Sequence, residues 1–359
     1  MINDILIFNA LDGKLAVETC KKHPTARILC CEWFPGYEGW LQRLGFETCK
    51  CYKMVDGKKI LTFEALDGMK FDLILGNPPY QNSDKDEGNK LWARIVKHSY
   101  QNNLKENGVM VFITPTTWMT PSNDAANFSI MREIFQKKQL EWADIRSSIS
   151  SEFFPGVGQA ISVWMLTQKP KEYPTRFITD NGEMMIDLSD DVLLPKDINH
   201  TALSIVRKFT GTPWEWEGQK GYGYTQKKRT EECQFPYYHT VSQGNWYGNE
   251  KHPKAEQPKV MVSLSGYYEP VFSDSIGYTS MCVTLPLSSR EEGLIAQSVL
   301  SSRLYRWAHA QFKHGGFNNI RTIVGFPSVD LSRTWTDQEL YTHFGLTDEE
   351  IQYIEEQVV

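Results

Sequence analysis

The chain has 359 residues, 41% of them hydrophobic and 13% aromatic, enough to bury a large core and long enough for two domains. Its 38 Lys and Arg against 44 Asp and Glu leave a net charge of −6, which argues against indiscriminate coating of nucleic acid but allows a local basic patch. No run of about 20 apolar residues occurs, so no membrane partner is expected; the start MINDILIFNA has neither a basic leader nor a small-residue cleavage site, and the expected compartment is the cytoplasm.

The first 170 residues or so alternate apolar runs with helical patterns, the mark of an α/β sheet. Strands are predicted at Asp4 to Ala10, Ala26 to Trp33, Phe71 to Asn77, Gly108 to Pro115, Leu140 to Arg146 and Ala160 to Gln168. Between the third and fourth, Leu91, Ile95, Val96 and Tyr100 fall on one helical face, with Gly108 as the expected stop. Strands joined by such helices pair in parallel and put ligand sites at their C-terminal ends. Cys20, Cys30, Cys31, Cys49 and Cys51 crowd the N-terminal part, at spacings unlike a zinc knuckle; they read as reduced thiols, and no metal is expected. After about Thr201 the alternation gives way to Gly, Trp and Tyr threaded with basic residues, a second domain of mixed structure. The chain closes on two short helical stretches, the second capped by Thr347 with Glu350 three residues on.

The stretch KFDLILGNPPYQN runs a buried strand into Asn77, Pro78, Pro79 and Tyr80. A proline after Asn77 excludes helical geometry there, and a second fixes the next φ near −65°. Neither proline offers an N–H, so the corner is biased toward acceptors: the side-chain oxygen of Asn77 and the carbonyl of Pro78. Two fixed acceptors suit an amine, and Tyr80 offers a face for a flat ring carrying it. The same residues also suit an ordinary turn at a strand end.

FDLILGNPPY resembles motif IV of the amino-methyltransferases, in particular the N6-adenine DNA methyltransferases of restriction-modification systems and phages. NGVMVFITPTTWMT resembles the next strand and loop of that family, SEFFPGVGQAISVWMLTQKP the hairpin strands closing its sheet, and FPSVDLSRTWTDQELYTHFGLTDEEIQYIEEQ its C-terminal ending. The motif order is that of the gamma class. The resemblance implies a Rossmann-like methyltransferase sheet over residues 1–195 and a C-terminal mixed α+β domain over 196–359 that recognises a DNA target. It implies transfer of a methyl group from S-adenosylmethionine to adenine N6 in double-stranded DNA. In that reading Asn77, Pro78, Pro79 and Tyr80 are catalytic, and Tyr80 and Phe154 stack on an everted base. For Phe154 the other reading is a core residue beside Phe153.

The cofactor half departs from the family pattern. Where a loop FxGxG is expected the chain reads Asn9, Ala10, Leu11, Asp12, Gly13, so Leu11 stands in place of the first glycine. Asp12 and Gly13 remain candidates for cofactor binding. So do Glu32, placed for the ribose hydroxyls, and Trp33, which with Phe34 could flank an adenine. The third contact, an acid in the family, falls on Lys59 or on Asp67. Among Arg207, Lys208, Lys227, Lys228, Arg229, Lys251, Lys254, Arg303, Arg306, Lys313 and Arg321 are the cations that would meet DNA, or simply an ordinary charged surface. The altered loop leaves a second expectation open: a catalytically silent DNA-binding or partner subunit, or one completed by a partner that supplies missing cofactor-site elements. A third keeps the chemistry but moves it to glutamine side chains or RNA; the aromatic and basic second domain favours DNA.

Overall fold

The computed structural model describes residues 2–80, 91–119, 129–155, 160–188, 193–217, 221–313 and 320–358. The chain divides into two compact units, Met1–Asp191 and Val192–Val359.

In the first unit the strands are β1 (Asp4–Phe8), β2 (Arg27–Glu32), β3 (Glu47–Lys50), β4 (Tyr52–Val55), β5 (Lys58–Leu61), β6 (Phe71–Gly76), β7 (Leu104–Pro115), β8 (Lys138–Asp144), β9 (Ile161–Pro170), β10 (Thr175–Thr179) and β11 (Gly182–Ile186). The helices are α1 (Lys14–Lys22), α2 (Tyr37–Arg43), α3 (Leu91–His98) and α4 (Ser147–Phe153). One sheet runs β11-β10-β8-β9-β7-β6-β1-β2-β3, and β4 with β5 forms a separate hairpin. Strands β3, β2, β1, β6 and β7 are mutually parallel, while β9 runs antiparallel to both β7 and β8. The fold is α/β and Rossmann-like. Ile5, Leu6 and Ile7 are wholly buried, as a central parallel strand covered on both faces requires.

The chain leaves β1 for β2 and β3 on one side, then returns to β6 and β7 on the other. Strand order therefore reverses between β1 and β6, and their C-terminal ends flank the crevice where open α/β sheets take ligands. At the opposite edge Asp72 fastens the same two strands. Its Oδ2 accepts the amides of Asn3 and Asp4 at 2.9 and 3.0 Å, and Lys105 Nζ bridges Asp4 and Asp72 at 2.8 and 3.0 Å.

The expected helix before β7 is shorter than its apolar pattern suggests. It stops at His98, turns once more over Ser99–Asn103, and β7 begins at Leu104. The buried Asn103 side chain turns the chain by donating to the carbonyls of Leu66 and Met69 at 3.0 and 3.1 Å. Gly108 is no helix stop but lies inside the strand, where a Cβ would sit 2.7 Å from Leu104 Cδ1.

The second unit is α+β. Its strands are β12 (Thr225–Gln226), β13 (Phe235–Thr240), β14 (Gly244–Gly248), β15 (Lys259–Ser263), β16 (Val271–Ser273), β17 (Gly277–Tyr278) and β18 (Cys282–Pro286). They form a sheet β12-β14-β13-β17 and a sheet β16-β15-β18. The helices are α5 (His200–Lys208), α6 (Arg290–Leu300), α7 (Arg303–Phe312), α8 (Ile320–Val324), α9 (Asp337–His343) and α10 (Asp348–Gln357). A core around Phe209, Tyr305, Trp307, Phe326 and Tyr341 joins α5, α6, α7, α9 and α10. Both closing helices carry capping boxes, Thr336 with Glu339 and Thr347 with Glu350, the latter as read from the sequence.

Gly76, the residue before the Asn-Pro-Pro corner, needs its missing side chain. A Cβ there would lie 2.7 Å from Phe112 and 3.1 Å from Phe8, and Phe112 is wholly buried and stacked on Trp164 at 5.5 Å, so it has nowhere to move. Gly76→Ala is therefore expected to lower stability by about 1–3 kcal/mol through overpacking, read as a fall in thermal midpoint; an unchanged midpoint would show that the rings yield.

Candidate active site

Asn9, the first residue after β1, holds the C-terminal edge together. Its backbone N–H continues the ladder to Cys31 O at 3.0 Å, and the N–H of Asn77 continues the next ladder to Phe8 O at 3.3 Å. The Asn9 side chain then reaches both neighbours: Oδ1 accepts Trp33 N–H at 3.0 Å, and Nδ2 donates to the Asn77 carbonyl at 3.0 Å. The residue is 5% exposed and adopts φ 56°, a left-handed conformation that asparagine tolerates better than most side chains. The ends of β2 and β6 are thus tied through one amide. Sequence reading registered Asn9 only as a departure from an aromatic; its φ preference and its place after a buried strand were the available signals.

Around the corner, Pro78 and Pro79 are buried while Asn77 and Tyr80 are half-buried. The Tyr80 hydroxyl donates to Asn77 Oδ1 at 3.3 Å, which fixes the orientation of the amide and leaves one lone pair of that oxygen available. The Pro78 carbonyl accepts no hydrogen bond among the described residues. Burial raises the Tyr80 phenol pKa, so it stays a neutral donor. Phe154 follows α4, half-buried, beside an exposed Phe153. Both lie at the same sheet edge as Asn77, since β8 and β7 share a direction through β9. Among the described residues no ring contact joins Tyr80 and Phe154.

The loop after β1 takes left-handed backbone at three alternate positions, of which only Gly13 is a glycine. Asn9, Leu11 and Gly13 have φ of 56°, 50° and 83°. For Leu11 this conformation costs roughly 1–2 kcal/mol. Gly13 is required by packing as well as by φ, since a Cβ would meet Leu44 Cδ1 at 2.7 Å. The Asp12 carbonyl accepts Trp40 Nε1–H at 3.1 Å, and its exposed carboxylate, with pKa lowered by the Lys14 amide and ammonium, accepts the Lys14 N–H at 3.1 Å.

Glu32 is fully buried. Ala10 N–H donates to its Oε1 at 2.7 Å, whereas Oε2 has no partner among the described residues. Burial pushes this carboxyl up to about 7, only partly offset by the amides of Ala10 and Leu11. An orphaned acceptor at the end of β2 fits a ligand hydroxyl. Trp33 beside it is 3% exposed and its ring is occupied: Lys59 Nζ, from the β4–β5 hairpin, sits 4.2 Å from its centroid, 4.9 Å from Tyr52 and 5.3 Å from Phe34. Phe34, 41% exposed, is the more open of the two aromatics that sequence reading offered for an adenine. All seven cysteines are free thiols, and Cys31 and Cys49 are register partners across β2 and β3.

Residues 46–147 match the Eco57I restriction-modification methylase family. The matched segment runs from the end of α2's loop through β6, the Asn77–Tyr80 corner and β7 to the start of α4, so the likeness read from the motif holds at the level of similarity to a restriction-modification-type methylase. No curated protein matches. Solved structures similar to part of the chain include a chain of the fibrillarin/Nop5p complex, at 14% identity over 46% of this chain and 71% of that one, TM-score 0.30. The plantazolicin methyltransferase BpumL in complex with SAH matches at 10% identity over 47% and 77%, TM-score 0.30. A predicted O-methyltransferase, Atu636 from Agrobacterium tumefaciens, matches at 14% over 50% and 78%, TM-score 0.29.

In the second unit four of the expected cations are paired with acids: Lys208 with Glu350, Lys251 with Glu256, Lys254 with Glu217 and Arg303 with Glu355. Lys313 donates to the Gly266 carbonyl. Lys227, Lys228 and Arg229 form an exposed basic run. The Arg321 side chain lies outside what is described.

Replacing Asn9 by Ala strands the Trp33 N–H and the Asn77 carbonyl and keeps a strained φ, so urea unfolding should show a loss of about 2–5 kcal/mol; a loss under about 0.5 kcal/mol would remove Asn9 as the tie. The Glu32 carboxyl holds a proton in the folded chain that the unfolded chain releases between about 4.5 and 7. Its contribution is therefore present at low pH and lost as pH rises through about 7. Between pH 5 and pH 8 this group alone should take up to about 3 kcal/mol from stability. Glu32→Gln should lack that loss, and identical pH profiles of the two proteins would refute the assignment.

Proposed function

We propose that the chain is an S-adenosylmethionine-dependent methyltransferase acting on an exocyclic amino group in DNA, adenine N6 first among them. The observation that carries this reading is the Asn77 corner: a rigid pair of acceptors at the strand-order reversal, with its amide oriented by Tyr80 and its backbone held by Asn9. Asn77 Oδ1 and the Pro78 carbonyl would each take one N–H of the amine. That grip draws the nitrogen lone pair out of conjugation with the ring and points it away from the two oxygens. As the nitrogen gains a bond and positive charge, the same two oxygens stabilise it until a proton leaves to water. No strong base is needed, because positioning and electrostatics supply the gain.

When bound, S-adenosylmethionine supplies an electrophilic methyl group. Glu32 Oε2 would hold a ribose hydroxyl, and the left-handed turn from Asn9 to Gly13 would carry the amino-acid end. Tyr80, with Phe154, would receive the everted base; stacking at roughly 1–3 kcal/mol per face offsets an extrusion cost of a few kcal/mol. DNA as the substrate is supported by the methylase segment and by the exposed Lys227, Lys228 and Arg229 of the second unit. Residues 1–195 would carry catalysis and 196–359 target recognition.

A second reading has its own support in Leu11, strained where a glycine would be at ease, and in Lys59, seated over Trp33. It makes the chain a silent subunit, or one completed by a partner. Calorimetry with S-adenosylmethionine separates the two, since micromolar binding by the isolated chain is expected only of the first.

The test of function is transfer of labelled methyl groups to mixed-sequence duplex DNA, followed by base analysis. Label on adenine N6 is expected. Asn77→Ala should lower kcat by about 100-fold or more while DNA affinity changes by less than about threefold. A parallel loss of DNA affinity, or label on no base, would overturn the assignment.

A further inference from the structure

The second unit contains a cavity of about 380 Å³ lined by Glu217, Gly221, Tyr222, His252, Lys254 and Tyr278, within the size range of small-ligand sites. Nothing in the proposed methyl transfer uses it.

His252 is its most telling residue. It is 5% exposed, and its Cβ fits because Gly277 has none: a Cβ there would lie 2.5 Å away. Tyr237 and Tyr278 pack on it at 5.5 and 4.2 Å, and Tyr222 stands edge-on at 5.6 Å. Its Nδ1 accepts the Lys254 N–H at 3.0 Å. Burial, then the nearby Lys259 and Lys254, push the imidazole down to about 4, so it is neutral. With Nδ1 an acceptor, the ring proton sits on Nε2. That N–H has no hydrogen-bond partner among the described residues, and His252 is one of the residues lining the cavity. Opposite in character is Glu217, whose Oε1 binds Lys254 Nζ at 2.5 Å and whose Oε2 receives the Tyr278 hydroxyl at 3.4 Å. Each carboxylate oxygen keeps a second lone pair.

The cavity thus offers aromatic walls, a carboxylate able to accept two parallel N–H bonds, and two donors, His252 Nε2 and Lys254 Nζ. Among the four bases, guanine alone sets two neighbouring donors, N1–H and N2–H, beside the acceptors O6 and N7. Adenine presents one amino donor between the acceptors N1 and N7, cytosine one beside the acceptor N3 and a C–H, and thymine a single ring N–H between carbonyls, so each would leave part of the carboxylate unmatched. The geometry points to this cavity as a guanine-binding site, with Glu217 on N1–H and N2–H, His252 and Lys254 on the acceptors, and Tyr222 against the ring. The guanine is either that of a free nucleotide or an unstacked base of a nucleic acid. The exposed Lys227, Lys228 and Arg229, a few residues beyond Tyr222 across β12, suit a phosphate in either case.

Titrating the full chain with GMP, AMP, CMP and TMP, and with otherwise identical duplexes carrying a single bulged G or bulged A, tests this. A tenfold or greater preference for guanine is expected, among the mononucleotides if the source is a free nucleotide, or only between the bulged duplexes if it is a nucleic acid. Glu217→Gln should erase that preference. Tyr222→Ala, at a site 39% exposed where folding is not at risk, should weaken guanine binding by about fivefold or more through lost stacking. Equal affinity for all bases in both formats, a preference for another base, or a guanine preference untouched by both substitutions would overturn the proposal. Methyl transfer is not a readout here, so its presence or absence leaves this result intact.

Discussion

One buried amide carries the architecture of the crevice. Asn9 sits where β1 runs out, and its two side-chain atoms satisfy an N–H at the end of β2 and a C=O at the end of β6. The Trp33 N–H is buried and the Asn77 carbonyl half-buried, so each would be costly unpaired, the first more than the second. Because the carbonyl it holds belongs to Asn77, the spatial relation between the β2 edge, with Glu32 and Trp33, and the Asn-Pro-Pro corner is set by this residue. Tyr80 then adds the last constraint by fixing which way the Asn77 amide faces.

The six strands expected from the sequence, β1, β2, β6, β7, β8 and β9, were legible as apolar runs that the sheet buries, whereas β3, a short polar edge strand, and β10 and β11 at the other edge were not. Ile5 to Phe8 and Leu73 to Ile74 lie in central parallel strands, where no polar alternation is expected and none occurs. The Asn77 corner was legible for a local reason too, since two prolines restrict the backbone whatever surrounds them. Asn9 was not legible as a tie, because its partners lie 24 and 68 residues away and only the fold brings them near. The same holds for Lys59, which reaches Trp33 from a short hairpin with no period to announce it. The helix before β7 was overextended by its apolar spacing, since the turn depends on Asn103 finding two distant carbonyls.

The cofactor edge holds two opposed tendencies. Glu32 carries an unmatched oxygen in a dry setting, which favours arrival of a hydroxyl donor. Leu11 and Lys59 act the other way, one by placing a side chain where a backbone turn would be bare, the other by seating an ammonium on an indole face. A ligand that donates a hydrogen bond to Glu32 Oε2 gains about 1–3 kcal/mol, comparable to the loss from displacing one cation from an aromatic surface.

Asp72 and Lys105 clasp β1 and β6 at one end, and Asn9 clasps them at the other. A strand fastened at both ends and buried between cannot slide in register or peel away alone; it opens only when its whole cooperative unit does. Any opening of this edge short of cooperative unfolding therefore leaves β1 and β6 in their places relative to each other.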